Sequence, residues 1–436
     1  MSAPLATPSV PHDVRPITVA VIALGKMGLP IAVQIAAAGH TVVGADVDET
    51  TVDLINAGKA PFPGEAGLAE ALAELVPAGR LRATTSTAEA VAQAEFVVAV
   101  PPLMVDIDGN TDWRIIDAVL EAVGPALKEG TCFALETTVP VGTTRDRIAP
   151  RLAELSGLEL GVELNVGFSP ERVFSGRVFE DLAKYPKLVG GVTLACERKI
   201  AEHYRSFLTA EVQEMGSAEA AELTKLVETT YREVNIALAN EFAMYADRVG
   251  IDLGPVIAAA NSQPFSHVHR PGVAVGGHCI PIYPRFYLQG DPHAKLVAHG
   301  RIVNEEMPAH AVSLLARDVE LDGKRVLVLG AAYRGGVKET AFSGVFPVVK
   351  ELERLGAIAQ VVDPLYDEAE ITGLGLAPWD GQPVDGAIIQ ADHAEYRQLR
   401  PEQVPGAVTV VDGRGTLDGQ NLGNAGVRVR RIGGGN

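Results

Sequence analysis

A lone cysteine that follows a cluster of glycines is the residue of this sequence best suited to covalent chemistry. Cys279 stands near the end of the run 272–281, which reads Gly-Val-Ala-Val-Gly-Gly-His-Cys-Ile-Pro. Glycines let the backbone approach a ligand closely, and they leave the sulfur open to attack a bound carbonyl. The same pattern fits a glycine-rich surface turn with an incidental buried thiol, because free cysteine commonly packs as a small apolar residue. The run by itself leaves both interpretations open.

Length and composition limit the class of protein. With 436 residues the chain is too long for one hydrophobic core, so we expect two or three domains. The formal net charge of -18, from 37 basic and 55 acidic side chains, argues against sequence-independent binding to nucleic acid or to an anionic membrane. The three cysteines lie far apart without metal-ligand spacing, which predicts a cytoplasmic protein with no metal site. No apolar run approaches the roughly 20 residues that span a bilayer, and residues 1–16 are predicted to be a disordered tail.

A strand, a glycine-containing turn and a helix open the first domain. Residues 17–22 predict a buried parallel strand, and the turn at 23–28 reads Ala-Leu-Gly-Lys-Met-Gly. A second strand, Thr41–Ala45, delivers Asp46 21 positions after Gly25. Such a turn can seat a pyrophosphate, and the carboxylate can accept both ribose hydroxyls while repelling a 2'-phosphate, which favours NAD over NADP. A βαβ unit without a ligand remains the alternative, since Ala23 replaces the usual first glycine.

Further strands are predicted at 96–100, 131–135 and 164–168. Ligands of parallel sheets bind beyond the carboxyl ends of the strands, so Thr138 and Glu171 are candidates for the cleft. Each could equally be a helix cap or a loop residue.

Residues 217–249 form the best helical segment, because apolar residues recur at steps of three or four. Ser217 can cap its start and Gly250 its end. The helix is about 50 Å long at 1.5 Å per residue, and we expect it to join two domains and to pack against its own copy in a homodimer. Lys225 and Thr229 share one face, where a lysine is more often a solvated charge than a catalyst.

Residues 251–271 are predicted to be rich in loops, and their basic and aromatic side chains suit phosphate and a nucleobase better than a metal. A smaller parallel sheet follows, with strands at 325–329, 358–362, 387–389 and 408–411 and a helix at 346–355. Two such modules flanking one long helix suggest two nucleotide sites. The last residues, 433–436, are expected to be frayed.

With these elements in place, the sequence resembles the UDP-glucose/GDP-mannose dehydrogenase family of nucleotide-sugar 6-dehydrogenases over about residues 17–415. The matching stretches are 24–30, 136–144, 169–173, 222–228, 240–241 and above all 276–281. The resemblance implies an α/β fold with two Rossmann-like parallel-sheet domains joined by the long central helix. The implied division is a tail at 1–16, an NAD-binding domain at 17–213, a central helical dimerisation domain with the cysteine loop at 214–315, and a nucleotide-sugar-binding domain at 316–436.

The resemblance also implies a reaction. A sugar is oxidised twice at its sixth carbon, from alcohol to aldehyde to acid, while two NAD are reduced. Cys279 adds to the aldehyde as a thiohemiacetal that is oxidised to a thioester. Lys225 stabilises the developing negative oxygen, and Glu171 activates the water that releases the acid. Thr138 helps to position the nicotinamide and this water.

Other residues receive their expected roles from the same resemblance. Arg334 stands in place of a family lysine that grips the substrate. The predicted cofactor-binding residues are Gly25, Lys26, Met27, Gly28, Asp46, Val100, Pro101 and Thr138. The predicted substrate-binding residues are Glu171, Arg172, Lys225, Phe265, His269, Arg270, Gly276, Tyr333 and Arg334.

The sequence departs from the family pattern near the nucleophile. Thr229 stands where asparagine is usual and Tyr283 where aspartate is usual, so two polar partners of the reacting oxygen are altered. The tyrosine hydroxyl can still donate or relay a proton, but it cannot act as a carboxylate at neutral pH. In the last domain Glu339, Ala341 and Ser343 replace the usual Asp, Arg and Ser. These changes suggest a divergent branch.

Several functions remain open at this point. The leading hypothesis is oxidation of UDP- or dTDP-glucose, and the nearest alternative is oxidation of UDP-N-acetylmannosamine or a related N-acetylhexosamine. A regulatory nucleotide-binding protein without catalysis is a more remote alternative. A simpler β-hydroxyacid dehydrogenase would leave Cys279 and the second sheet unexplained.

Overall fold

Buried β-branched strands alternate with helices through the first half of the chain. The computed structural model describes residues 15–106, 110–174 and 176–435, and the chain divides into two units, Met1–Val227 and Glu228–Asn436. The predicted tail at 1–16 lies, apart from its last two residues, outside the described residues.

One large sheet organises the first unit. Its elements in chain order are β1 (Thr18–Ile22), α1 (Gly28–Ala37), β2 (Thr41–Ala45), α2 (Glu49–Asn56), α3 (Leu68–Leu75), β3 (Leu81–Thr84), α4 (Thr87–Val91), β4 (Phe96–Ala99), β5 (Met104–Val105), β6 (Thr111–Asp112), α5 (Arg114–Val123), β7 (Cys132–Leu135), α6 (Ala149–Ser156), β8 (Asn165–Phe168), α7 (Val178–Lys184), β9 (Lys187–Gly191), α8 (Leu194–Arg205), β10 (Val212–Glu214) and the start of α9 (Ala218–Val249). The strand order across the sheet is β10-β9-β8-β7-β4-β1-β2-β3, and β5 pairs with β6 as a separate antiparallel hairpin.

The middle strands of this sheet are buried along their whole length. All four residues of β4 and of β7 are buried, as expected for parallel strands that are covered by helices on both faces. One pairing departs from the parallel pattern, because β9 runs antiparallel to β8 while β10 runs parallel to β9. The reversal brings the first residue of β9 to the edge of the sheet where β7 and β8 end.

A smaller, fully parallel sheet organises the second unit. After the rest of α9, its elements are α10 (Leu253–Ala260), α11 (Tyr283–Gly290), α12 (Lys295–Ala316), β11 (Arg325–Leu329), α13 (Val345–Arg354), β12 (Ile358–Val362), α14 (Glu368–Gly373), β13 (Gly386–Ile389), β14 (Thr409–Asp412), α15 (Gln420–Asn424) and β15 (Arg428–Arg431). The strand order is β12-β11-β13-β14-β15.

The predicted fold class is confirmed, with an α/β sheet near each end of the chain and one long helix, α9, between them in sequence. The stretch 251–271 is mostly loop, as expected, but it also contains α10, which the Asp252 side chain caps by accepting a hydrogen bond from the Gly254 amide at 3.0 Å. One local expectation is wrong. The final residues are not frayed as far as the structure describes them, since the amides of Gly433 and Gly435 both donate to the buried carboxylate of Asp247.

The contact between Asp247 and the end of the chain predicts a stability effect. Ending the chain at Ile432 removes two donors from a buried carboxylate, which should lower the free energy of unfolding by about 1–3 kcal/mol. A chain that ends at Gly435 keeps both donors and is the matched control. Thermal unfolding of both variants measures the difference, and equal melting temperatures would contradict the prediction.

Candidate active site

The turn between β1 and α1 is shaped by backbone contacts that glycine alone permits. A Cβ atom built on Gly28 would lie 1.9 Å from the carbonyl oxygen of Ala23, so no side chain fits there. A Cβ built on Gly25 would meet nothing within 4 Å, so the space in front of this residue is open. Gly28 therefore serves the packing of helix against strand, and Gly25 leaves room for a ligand beside the backbone.

Ala23 adopts a conformation that alanine rarely takes. Its φ of 72° lies in the left-handed region, which costs a residue with a Cβ about 1–2 kcal/mol. Its amide donates to the carbonyl of Ala45 at 2.8 Å, so the neighbouring strand holds it in place. The chain thus keeps the turn geometry usual for glycine although the first glycine is missing.

Asp46 lies directly beyond the end of β2 and is tied to the same turn. One carboxylate oxygen accepts from the Leu24 amide at 2.7 Å, and the other accepts from the Asp48 amide at 3.0 Å. The first turn of α1 has no side-chain cap, since Met27 at the N-cap makes none. Amides at a helix N-terminus suit a pyrophosphate, and an adjacent carboxylate suits a ribose. These residues therefore fit a dinucleotide cofactor, which when bound accepts a hydride.

The other predicted cofactor residues lie at the same edge of the first sheet. Val100 follows β4, and its amide donates to the carbonyl of Ile22 at the end of β1. Pro101 is buried and its carbonyl accepts from the Thr137 hydroxyl, while Thr138 is 4% exposed. Lys26 lies exposed in the turn.

Glu171 belongs to a buried cluster of charges at this edge. The ammonium of Lys187 lies 3.1 Å from a carboxylate oxygen of Glu171 and 2.9 Å from one of Glu136. The other oxygen of Glu171 accepts from the amides of Arg172 and Val173 at 2.7 and 3.0 Å. The Tyr204 hydroxyl donates to the second oxygen of Glu136. The side chains of all three charged partners are at most 9% exposed.

Burial and the shared ammonium move the pKa values of the two carboxyls apart. Burial raises the pKa of Glu136 to about 7, although Lys187 opposes the shift. Burial also disfavours ionised Glu171, but Lys187, the Arg172 amide and Lys225 outweigh it and place the pKa of Glu171 below its usual range. The pKa of Lys187 is raised, because the two carboxylates outweigh the effect of burial.

Lys225 points inward rather than to solvent. It is 9% exposed, and its ammonium donates to the main-chain carbonyl of Glu171. The side chain of Arg172 donates to the carbonyl of Pro186 at 3.1 Å. The first unit therefore brings together Glu171, Lys225 and Arg172.

In the second unit, the glycine-rich loop that precedes Cys279 is fastened to the smaller sheet. The Val273 amide donates to the carbonyl of Gly413 and the Gly277 amide to that of Ala341, both at 2.8 Å. Half-buried Arg414 donates to the carbonyl of Ala274 at 3.0 Å and to that of Tyr333 at 3.2 Å. Burial lowers the pKa of Arg414. The loop is thus held in one place before any ligand binds.

The glycines of this loop are required by Tyr333. A Cβ built on Gly276 would lie 2.6 Å from the Cβ of Tyr333, and one built on Gly277, whose φ is +93°, would lie 3.1 Å from its ring. The guanidinium of exposed Arg334 lies 5.8 Å from the centre of the same ring and donates to its hydroxyl at 3.0 Å. The predicted residues Gly276, Tyr333 and Arg334 therefore form one contact surface.

Cys279 itself is exposed, which removes the alternative of an incidental buried thiol. Its carbonyl accepts from the Tyr283 amide at 2.9 Å, so the start of α11 fixes the main chain at the cysteine. The Tyr283 ring is half-buried and stacks on Phe286 at 5.9 Å. Thr229 is buried in α9.

The loop at 261–271 places its predicted substrate residues near the surface. Phe265 is 93% exposed and Arg270 is also exposed. His269 is half-buried with its ring 6.1 Å from that of Tyr231, and burial lowers its pKa.

Asp363 ends β12 as Asp46 ends β2, but its carboxylate is already engaged. One oxygen accepts from the amides of Ala331 and Ala332 at 2.7 and 2.9 Å and faces His393 at 3.0 Å. The other accepts from the Leu365 amide. Main-chain amides thus engage both Asp46 and Asp363, but Asp363 is 3% exposed and also faces a histidine, whereas Asp46 is only half-buried.

The sequence reasoning missed the buried residues that organise these groups. Glu136 could have been noticed, because it follows a buried strand beside Thr138. Lys187 gives a weaker signal of a functional role, because it is only a single charged residue at the start of an apolar run. Tyr204 and Arg414 carry no local pattern that singles them out. Among the described residues, no group of three or more His, Cys, Asp or Glu could hold a metal ion.

The turn and Asp46 at the end of the larger sheet are features of a dinucleotide-binding domain, and an exposed cysteine lies on the loop that is fastened to the smaller sheet. Comparison with known proteins gives the family. The chain belongs to the UDP-glucose/GDP-mannose dehydrogenase family, whose NAD binding domain matches residues 17–208, whose central domain matches 219–305 and whose UDP binding domain matches 327–419. It is therefore an NAD-dependent nucleotide-sugar dehydrogenase.

Several relatives resemble the whole chain. The UDP-N-acetyl-D-mannosamine dehydrogenase of Pyrococcus horikoshii is 32% identical over 416 residues, which are 92% of this chain and 96% of the relative. A solved structure of UDP-D-ManNAc dehydrogenase from that organism has a TM-score of 0.85 at 30% identity and covers 96% and 100% of the two chains. A UDP-glucose dehydrogenase from Pyrobaculum islandicum also has a TM-score of 0.85, at 28% identity, and covers 98% and 99%.

In the described part of the chain, no helix combines the length and the apolar character that crossing a bilayer requires.

The open space at Gly25 predicts a selective defect in cofactor binding. Gly25→Ala adds a methyl group that meets no protein atom, so the melting temperature should not change. The same methyl group occupies the space for the pyrophosphate, which should weaken NAD binding by roughly 10-fold or more, or about 1.4 kcal/mol. Calorimetric titration with NAD measures the loss, and Gly373→Ala, at an equally open position in α14, is the matched control. Unchanged affinity would show that NAD does not approach this glycine.

Proposed function

We propose that this enzyme oxidises the C6 hydroxyl of a UDP-sugar to the acid in two NAD-dependent steps, with UDP-N-acetylmannosamine as its substrate. The observation that carries the proposal is the exposed Cys279 on a loop that is fastened to the smaller sheet. The choice of sugar is supported by the similarity to UDP-N-acetyl-D-mannosamine dehydrogenase of Pyrococcus horikoshii, in sequence and in solved structure. UDP- or dTDP-glucose is the second candidate, supported for UDP-glucose by the similar structure from Pyrobaculum islandicum.

In the proposed mechanism the cysteine forms the covalent intermediates. The sulfur of Cys279 adds to the C6 aldehyde, and loss of a hydride from the resulting thiohemiacetal gives a thioester. Its exposure and the fixed main chain on both sides support this role. The altered neighbours, Thr229 and Tyr283, offer hydroxyls where the family usually has an amide and a carboxylate.

Two residues of the first unit complete the proposed chemistry. Lys225 places an ammonium near the oxygen that becomes negative during each oxidation, and its inward orientation against the Glu171 carbonyl supports this assignment. Glu171 accepts a proton from the water that attacks the thioester, and its low pKa keeps it ionised and ready to do so. Thr138 positions the nicotinamide and the water.

The proposal assigns one group of residues to NAD and another to the nucleotide sugar. Gly25, Lys26, Met27, Gly28, Asp46, Val100 and Pro101 hold NAD in this proposal. Gly276, Tyr333 and Arg334 hold the nucleotide sugar together with Arg172 and the loop residues Phe265, His269 and Arg270. The division of the chain at 213–214 and 315–316 and a cytoplasmic location are part of the same proposal.

The substrate can be tested by counting NADH. A panel of UDP-N-acetylmannosamine, UDP-N-acetylglucosamine, UDP-glucose, dTDP-glucose and GDP-mannose is offered with excess NAD. UDP-N-acetylmannosamine should have the highest kcat/KM and give two NADH per sugar, because the aldehyde stays attached to the enzyme. One NADH per sugar with release of free aldehyde would reject the covalent mechanism, and a higher kcat/KM for UDP-glucose would reject the choice of sugar.

The nucleophile is tested in the same assay. Cys279→Ala should abolish net oxidation to the acid, since no thioester can form. Cys196→Ala, which removes a buried thiol of α8, is the matched control and should keep the two-NADH stoichiometry.

We also propose a homodimer that forms through α9. Within the second unit this helix exposes an apolar stripe that consists of Tyr231, Leu238, Phe242, Tyr245 and Val249, each 41–58% exposed. These residues recur at steps of seven, four, three and four and so share one face. We propose that a second copy of the chain covers this stripe, because the stripe of one helix can pack against the same stripe of another about a two-fold axis.

The dimer predicts a specific effect of charge on the stripe. Phe242→Glu with Tyr245→Glu should raise the dissociation constant of the dimer by roughly 100-fold or more, since carboxylates would be buried without partners. Sedimentation equilibrium measures the constant. Val408→Glu changes a side chain of similar exposure, 53%, away from the stripe and should leave the dimer intact. A monomeric wild-type protein would refute the proposal.

A further inference from the structure

Three neighbouring strands bring two carboxylates and one ammonium together at the edge of the larger sheet. Leu135 pairs with Phe168 in the parallel register of β7 and β8, so Glu136 follows at the same level. Phe168 pairs with Gly190 in the antiparallel register of β8 and β9. Continuing this register by three residues sets Glu171 opposite Lys187. The reversed strand β9 is therefore the reason why an ammonium lies between the two carboxylates.

The cluster has more negative than positive charge within reach of Lys187. Its ammonium faces Glu136 at 2.9 Å and Glu171 at 3.1 Å, and it lies 5.1 Å from the centre of the Tyr204 ring. On the far side of Glu171, the ammonium of Lys225 is bound to the main-chain carbonyl. Glu136, Lys187 and Glu171 together hold one excess negative charge, which is costly away from water. Because Lys225 offsets it on the side of Glu171, the cost falls on Glu136, which therefore binds a proton more readily than Glu171.

We propose that Glu136, Lys187 and Glu171 act as one proton-accepting unit during release of the acid. Lys187 is a positioning residue that ties Glu171 to Glu136, and the negative charge of Glu136 strengthens Glu171 as a base. The inference rests on the proposed role of Glu171 in hydrolysis of the thioester. It adds Glu136 and Lys187, which do not touch the reacting atoms.

The step balances without an oxidant or a further reactant. A water oxygen forms a bond to the thioester carbon, the bond between that carbon and the sulfur of Cys279 breaks, and the sulfur leaves as a thiolate. The proton lost by the water passes to Glu171. The cluster then carries two carboxyl groups, one proton and the ammonium of Lys187, so its excess charge is neutralised.

The pH dependence of this step follows from the groups that face each carboxyl. Glu136 faces Lys187 on β9, Tyr204 on α8 and Glu171, while Glu171 faces Lys187, Lys225 on α9 and the amide of Arg172. Because the pKa of Glu136 is raised to about 7 by burial, this carboxyl loses its proton as the pH rises through neutrality. Its new negative charge then increases the proton affinity of Glu171. Thioester hydrolysis should therefore speed up as the pH rises through about 7.

The test removes the charge of Glu136 and keeps its shape. In wild-type enzyme, the decay of the adduct on Cys279, followed by mass spectrometry after rapid quenching with UDP-N-acetylmannosamine and NAD, should rise about 3- to 10-fold across pH 7. Glu136→Gln should hold the rate at its low-pH value throughout. Glu222→Gln is the matched control, because burial also raises the pKa of Glu222 to about 7 but its carboxylate is bound by Gly142 and Thr144 instead. In Glu222→Gln enzyme the rate at which the adduct decays should still rise across pH 7.

A measurement on the free enzyme guards against misfolding and against a wrong substrate. Glu136→Gln keeps the ion pair of Lys187 with Glu171 at 3.1 Å, so it leaves no buried charge of that pair without a partner. Difference infrared spectra of the free enzyme between pH 6 and pH 8 need no sugar. Wild-type enzyme should show two buried carboxylic acids that ionise in this range, Glu136 and Glu222. Glu222→Gln should lose only the band of Glu222 and keep that of Glu136, and Glu136→Gln should lose the band of Glu136.

The outcomes separate the two proposals. If Glu171→Gln hydrolyses the adduct at the wild-type rate, the role proposed for Glu171 has failed. If Glu171→Gln accumulates the adduct while Glu136→Gln keeps both the rise across pH 7 and the infrared band assigned to Glu136, the proton-accepting unit is overturned and the proposed function stands.

Discussion

The ion pairs of one buried lysine organise the chemistry at the edge of the larger sheet. The ammonium of Lys187 pairs with Glu136 at 2.9 Å and with Glu171 at 3.1 Å, and Lys225 acts on Glu171 from another side. Removing only this ammonium would leave two acids buried beside each other, a change that commonly costs several kcal/mol. The position of Lys187 depends in turn on a strand that runs against its neighbour.

The loop that carries Cys279 is held in place by a different kind of contact. The loop before Cys279 is made rigid by main-chain hydrogen bonds to Gly413 and Ala341 and by the guanidinium of Arg414, so its glycines serve close packing on Tyr333. A nucleophile on a fixed loop needs little reorganisation before it attacks. The proposed nucleophile is thus held in place by the smaller sheet, whereas the proposed base is held in place by the larger one.

The parts of the site that depend on local sequence could be predicted. The strands that flank the turn, Gly28, Asp46 and the positions of Thr138 and Glu171 beyond strand ends all follow from patterns a few residues long. Lys187 could not be assigned, because Lys-Leu-Val-Gly-Gly predicts a strand and says nothing about its direction. The left-handed backbone of Ala23 is imposed by Ala45, and the ordered end of the chain by Asp247. Such effects come from residues that are distant in sequence, which spacing does not report.

The engagement of Asp363 has a consequence for the order of events. That carboxylate is buried and committed to the main chain and to His393, whereas Asp46 is half-buried. The proposed two-step oxidation therefore assigns both of its NAD molecules to the larger sheet. Under that proposal the first reduced dinucleotide departs and a fresh one enters before the second step, so the proposed bond between sugar and sulfur has to last longer than this exchange.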